Sequence, residues 1–284
     1  MAWRRISKRD KIRTKYLKTE KKSNAMEKLR YYIPKVQSDK LPVIIGLPGL
    51  VHPTETTRID SFLETISKNH NIAGVRMNYE GITSAKNTIS CQFNLKNYIS
   101  DIERAIFSIK EDERFNQSRI GILASSISAG IFGHYLSNQV DAQTSWTYAS
   151  ISPLLTWTDY ASEEIRRNIQ SKQKPIPISS SWDEQNGIRR QIPFEDFEEI
   201  KKLDALSRLQ TSSPKLKSVL TFLGAQDTIS NPNSILKYHD LLNGNSKRLI
   251  IYEDLGHDIS LERISSELLQ FFKKNLLRET SLIP

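Results

Sequence analysis

One cysteine, Cys91, stands in 284 residues. No intramolecular disulfide can form, and a reducing, cytoplasmic setting is the expectation. Beside that cysteine there are only five scattered histidines. Spacings of the C-x-x-C or H-E-x-x-H kind are absent, so neither a metal nor another cofactor is expected. No apolar run approaches the roughly 18 residues of a membrane-spanning helix. The basic N-terminus has no apolar stretch behind it. Neither an integral membrane protein nor a secretory leader is expected. Internal repeats are missing too. What is there, 38% hydrophobic and 26% charged residues, is the composition of an ordinary globular chain long enough to bury a full core.

The net charge of +9 suggests nucleic acid until it is located. Residues 1–30 carry 12 Lys and Arg against 3 Asp and Glu, and residues 31–284 carry 29 of each sign. The basicity therefore belongs to a tail, residues 1–25, ahead of a neutral domain over 26–284. Few apolar residues and weak periodicity predict that this tail is disordered or a frayed helix. It reads as a solvated extension, with Met26 as an alternative start, or as an arm making weak contact with an anionic surface. Specific nucleic-acid binding is not expected.

From Leu29 the pattern alternates. Leu29–Ile33, Leu41–Leu47, Ile72–Tyr79, Arg119–Ser125, Thr144–Ile151, Leu216–Gly224 and Lys247–Glu253 read as strands. The run LPVIIGL, apolar throughout, marks a strand covered on both faces. Ile59–Asn69, Leu95–Ile109, Ala129–Leu136, Asn233–Leu242 and Ile259–Lys274 read as helices, with apolar residues three and four apart. Such alternation implies βαβ units and a mainly parallel central sheet with flanking helices. It halts between Pro153 and Pro214 and then resumes. Residues 154–213 are too long for an idle loop and are expected to form an inserted cap. Trp157, Tyr160 and Trp182 there would line an acyl pocket or form the cap's own small core.

The chemistry centres on Ser126-Ile127-Ser128-Ala129-Gly130, between a strand and a helix. A nucleophile elbow is a sharp strand-to-helix turn with small residues two before and two after its apex. Ser128 at the apex meets this with Ser126 and Gly130, although Ser128 would serve equally as a helix N-cap. Asp227 follows the strand ending at Gly224, and His257 follows the strand ending near Glu253. Each taken singly reads as a turn or loop residue. Together they give the order Ser, Asp, His at strand C-termini, the order of a hydrolase triad. His52 reads as a loop histidine, His134 as a helix residue, and Cys91 lies in a polar connection with no partner placed by pattern.

From Leu29 to the C-terminus the chain resembles the α/β-hydrolase superfamily, and within it the cytosolic esterases and serine aminopeptidase-like, cinnamoyl-esterase-type members. LPGLVHPTETTRIDSF resembles the family's H-G-F-x-G loop, and VRMNYEGI its strand ending in D-Y-R-G, with Asn78 where aspartate is usual. PFEDFEEIKKLD, LTFLGAQDTISNP and LIIYEDLGHDIS are similar as well. The resemblance implies hydrolysis of small carboxylic esters through Ser128, His257 and Asp227, with the backbone amides of Leu50 and Ala129 as oxyanion donors. RIGILASSISAG also resembles the elbow of the bacterial-luminescence acyl-carrier-protein thioesterases. Acyl-thioester hydrolysis or acyl transfer is the alternative; a peptidase, or a binding protein on a hydrolase scaffold, ranks lower.

Overall fold

In the computed structural model the described residues are 29–35, 40–49, 58–79, 82–85, 88–139, 146–156, 176–177, 189–192, 196–212 and 215–277. The expected tail, Leu50, His52, Trp157, Tyr160 and Trp182 lie outside them. The elements run β1 (Leu29–Tyr32), β2 (Leu41–Leu47), α1 (Arg58–His70), β3 (Ala73–Met77), β4 (Ile82–Ala85), β5 (Thr88–Cys91), α2 (Leu95–Glu111), β6 (Phe115–Ser125) and α3 (Ile127–Ser137). They continue with β7 (Thr147–Ile151), β8 (Ile176–Pro177), β9 (Arg189–Ile192), α4 (Phe197–Ile200), α5 (Ala205–Thr211), β10 (Lys215–Gly224), α6 (Pro232–Leu241), β11 (Asn243–Tyr252) and α7 (Leu261–Leu276).

Seven strands form the main sheet in the order β1-β3-β2-β6-β7-β10-β11. β1 is antiparallel to β3, and the other neighbours are parallel. Strands β2, β3 and β7 are buried along their whole length, and β2, LPVIIGL, is apolar throughout, as a strand covered on both faces is. Side chains alternate between the two faces. Val43 and Ile45 enter one apolar core with α2, α3 and α5, whereas Ile44 enters the other with α1 and α7. The result is a sheet between two helical layers.

The chain leaves β2 toward β3 on one side and returns to β6 on the other. The carboxyl ends of β2 and β6 are therefore adjacent, with Leu47 paired to Ala124. That crevice is the topological switch point, where open α/β sheets take their ligands.

Two features depart from the sequence reading. The polar connection around Cys91 holds the antiparallel pair β4–β5. With β9 and β8 from the expected insertion they make a separate four-stranded sheet. In addition, Ile200, Leu203, Ala205 and Leu209 are buried in the main core, so the C-terminal part of the expected insertion packs with the sheet's own helices.

Candidate active site

Strand β6 ends at Ser125 and helix α3 begins at Ile127. Ser126 alone makes the turn, at φ 52 and ψ −127. A side chain at positive φ is strained, and such strain persists only where the surroundings fix it. Here they do. The Ser126 N–H donates to Ile151 O at 2.9 Å, and its carbonyl accepts from Ala129 N at 3.0 Å and Leu154 N at 3.1 Å. The residues two before and two after, Ala124 and Ser128, are small and fully buried. The elbow apex is Ser126.

Strand β10 ends at Gly224, and Asp227 follows in a turn tied to the next loop. Ala225 N donates to Tyr252 O and Gln226 N to Leu255 O, each at 2.9 Å. Asp227 Oδ1 accepts the backbone N–H groups of Ile229 and Ser230, both at 2.8 Å. These bonds fix the carboxylate and leave Oδ2 for His257 Nδ1, at 2.9 Å. Ser230 Oγ stands 3.4 Å from the same nitrogen. On the far side of the ring, His257 Nε2 lies 2.9 Å from Ser126 Oγ. An Nδ1–H donated to the carboxylate leaves Nε2 as the acceptor for the serine O–H. The carboxylate side chain is fully buried while the imidazole keeps 12% exposure.

Asp227 and His257 are thus brought together as expected, but Ser128 is not their partner. Ser128 sits in the first turn of α3, fully buried. Its hydroxyl accepts from Tyr79 Oη at 2.8 Å and donates to the Pro48 carbonyl. The Ala129 amide is bonded to the Ser126 carbonyl and points into the helix. The residue after the apex is Ile127, whose amide is the first of α3, a position whose N–H has no partner within its helix. Leu50 lies outside the described residues. His134 is buried on α3 and Asn78 accepts from Arg76; neither touches the serine–histidine pair.

Sequence reasoning did not place Ser126 beside His257 or Tyr79 beside Ser128. In ASSIS, Ala124 and Ser128 satisfy the small-neighbour rule around Ser126 as well as Ser126 and Gly130 do around Ser128. The deciding signal was the strand end at Ser125, which leaves the next residue to turn.

No protein-family profile matches the chain, and no curated protein is similar to it in sequence. Solved structures are similar in shape. The alpha/beta hydrolase GrgF from Penicillium sp. sh18 aligns with TM-score 0.64 at 14% identity, over 88% of this chain and 94% of that one. Est1E from Butyrivibrio proteoclasticus aligns with TM-score 0.61 at 15% identity, over 88% and 94%. A monoacylglycerol lipase from Paleococcus ferrophilus aligns with TM-score 0.59 at 11% identity, over 87% and 98%. The fold expected from the sequence is the fold these proteins have.

Proposed function

On this α/β-hydrolase fold we propose that the chain is a serine hydrolase of carboxylic esters, with Ser126 as nucleophile, His257 as general base and Asp227 as its orienting acid. The observation that carries the reading is the unbroken path from Asp227 Oδ2 through the imidazole to Ser126 Oγ, with 2.9 Å at each step. Neutral serine is a weak nucleophile, so His257 takes its proton as Oγ attacks the ester carbonyl. Asp227 holds the tautomer and stabilises the imidazolium that forms. The Ile127 amide, aided by one from the loop after Pro48, receives the negative charge that develops on the carbonyl oxygen. The protonated His257 gives its proton to the leaving alcohol. Water, activated by the same base, then releases the acid from Ser126. Nothing in these steps calls for a metal or cofactor.

A fluorophosphonate probe tests the assignment. It should label wild type and Ser128→Ala and leave Ser126→Ala unlabelled; labelling of Ser126→Ala would overturn it. Substrate class follows from a panel of p-nitrophenyl esters, hydroxycinnamate esters and acyl thioesters. Hydroxycinnamates belong in it because one structure of Est1E has ferulic acid bound. Thioesters belong in it because the stretch Ile120–Ala129 resembles a thioesterase elbow. Faster turnover of thioesters than of every oxygen ester would make thioester hydrolysis the function.

A further inference from the structure

The elbow could have been built with alanine or glycine at residue 128, where small size suffices. It has a buried hydroxyl instead, and a buried hydroxyl without partners is costly. Both partners come from segments that border the site. Tyr79 follows β3, and Pro48 is the first residue beyond β2. Ser128 accepts from Tyr79 Oη at 2.8 Å and donates to Pro48 O, so its one proton and one of its lone pairs are committed. Tyr79 is itself confined. Its ring stacks on Tyr98 at 4.4 Å between centroids, and Tyr98 is held by the edge of Phe93 at 5.0 Å and donates to Gln92 O at 3.2 Å.

We propose that Tyr79 and Ser128 are positioning residues that lock the Pro48–Gly49 peptide, at the end of β2, against the first turn of α3 and so hold the Ile127 amide in place. The idea rests on the esterase reading above. A trans peptide is planar, with C=O and N–H on opposite sides. Fixing the Pro48 carbonyl toward Ser128 therefore turns the Gly49 N–H away from α3. Ser128 lies two residues from the Ser126 apex and one from Ile127. The same hydroxyl thus ties the Ile127 amide at the start of α3 to the carboxyl end of β2. Oxyanion donors act through position: losing one typically costs ~10²–10³ in rate, and a misplacement of about 1 Å can cost ~10².

Ser128→Ala and Tyr79→Phe remove the two links without adding bulk. Both should lower kcat roughly 10- to 100-fold with KM within about threefold, since the Ile127 amide meets charge that exists only in the transition state. Affinity for a trifluoromethyl ketone, which forms a tetrahedral oxyanion on the serine, should fall by the same factor. Ser128→Thr, which keeps the hydroxyl, should recover most of the loss. Two results would overturn the proposal. One is kcat within twofold of wild type in both variants. The other is a crystal structure of Ser128→Ala with the Pro48–Gly49 peptide unmoved. The second needs no activity. If wild type proved unlabelled by fluorophosphonate, the esterase reading would fall and the peptide's orientation would still decide the role of Ser128.

Discussion

Ser126 Oγ and His257 Nε2 stand 2.9 Å apart across 131 residues of chain. The parallel run β6-β7-β10-β11 makes this possible, because it opens the loops after β6, β10 and β11 on one edge of the sheet. Ser126, Asp227 and His257 each follow one of those strands. Groups that act on one proton fail together. Ser126→Ala, His257→Ala and the double variant should therefore lose similar factors in kcat, far short of the product of the single losses. Asp227→Asn keeps an acceptor for the Ile229 and Ser230 amides but favours the wrong imidazole tautomer. Its kcat should drop by about 10⁴, the effect of that change in a well-studied triad. Initial rates on one activated ester check all four variants.

Gly224 shows how tightly the Asp and His loops are joined. A Cβ there would press on the carbonyl oxygens of Gly256 and Leu255, the latter at 2.5 Å. Both are backbone atoms of the segment carrying His257, so relief requires that segment to move. Gly224→Ala should cost about 1–3 kcal/mol as an overpacked site and reduce kcat at least tenfold in the fraction that remains folded. Gly244→Ala is the control. Its Cβ would meet the Val219 side chain at 2.9 Å, away from the site, so it should lower the melting temperature and leave kcat unchanged.

Much of this architecture was legible because burial writes itself into the chain. LPVIIGL is buried end to end and is apolar end to end. The order of Ser, Asp and His emerged because each lies just past a strand whose second half is largely apolar, GILA in β6, VLTFLG in β10 and LIIY in β11. The register of the elbow did not. Reading α3 from Ala129 put Ser128 at the turn, whereas the helix starts at Ile127 and the last β6–β7 pair is Ser125 with Ile151. Two serines two residues apart, each between small neighbours, cannot be separated by composition; only the point where pairing stops separates them. β4, β5, β8 and β9 escaped for another reason. They are two to four residues long, too short for alternation to emerge. Tyr79 looked like a strand end, and its bond to Ser128 joins residues 49 apart, beyond any local pattern.

His134 carries a pH dependence of stability unconnected with catalysis. Burial, with a lesser push from Arg208 that Asp204 opposes, lowers its pKa from 6.5 to about 4. Its folded-state value thus lies below the unfolded one, and the unfolded chain binds the extra proton between about pH 6.5 and 4. The stability is complete above pH 6.5 and is lost as the pH falls through that window, by up to about 3 kcal/mol. His134→Gln should flatten the slope of unfolding free energy against pH between 4.5 and 6.5. Part of the slope should remain, since burial also lowers His239. Urea unfolding at four pH values checks this, and an unchanged slope would count against it.

The two serines of the elbow can be told apart by stability alone. Ser126 sits at φ 52, which glycine adopts freely and alanine does not. Ser128 lies inside α3, where glycine is worse than alanine by about 1 kcal/mol. Substituting alanine and glycine at the same position removes the same hydroxyl, so the difference between the two isolates the backbone. At residue 126 glycine should be the more stable by about 1 kcal/mol or more, the order of strain held in such conformations. At residue 128 the sign should reverse. Thermal unfolding of the four variants reads both signs without any substrate. Glycine less stable than alanine at residue 126 would mean that the chain does not turn there, and the elbow would have to be sought elsewhere.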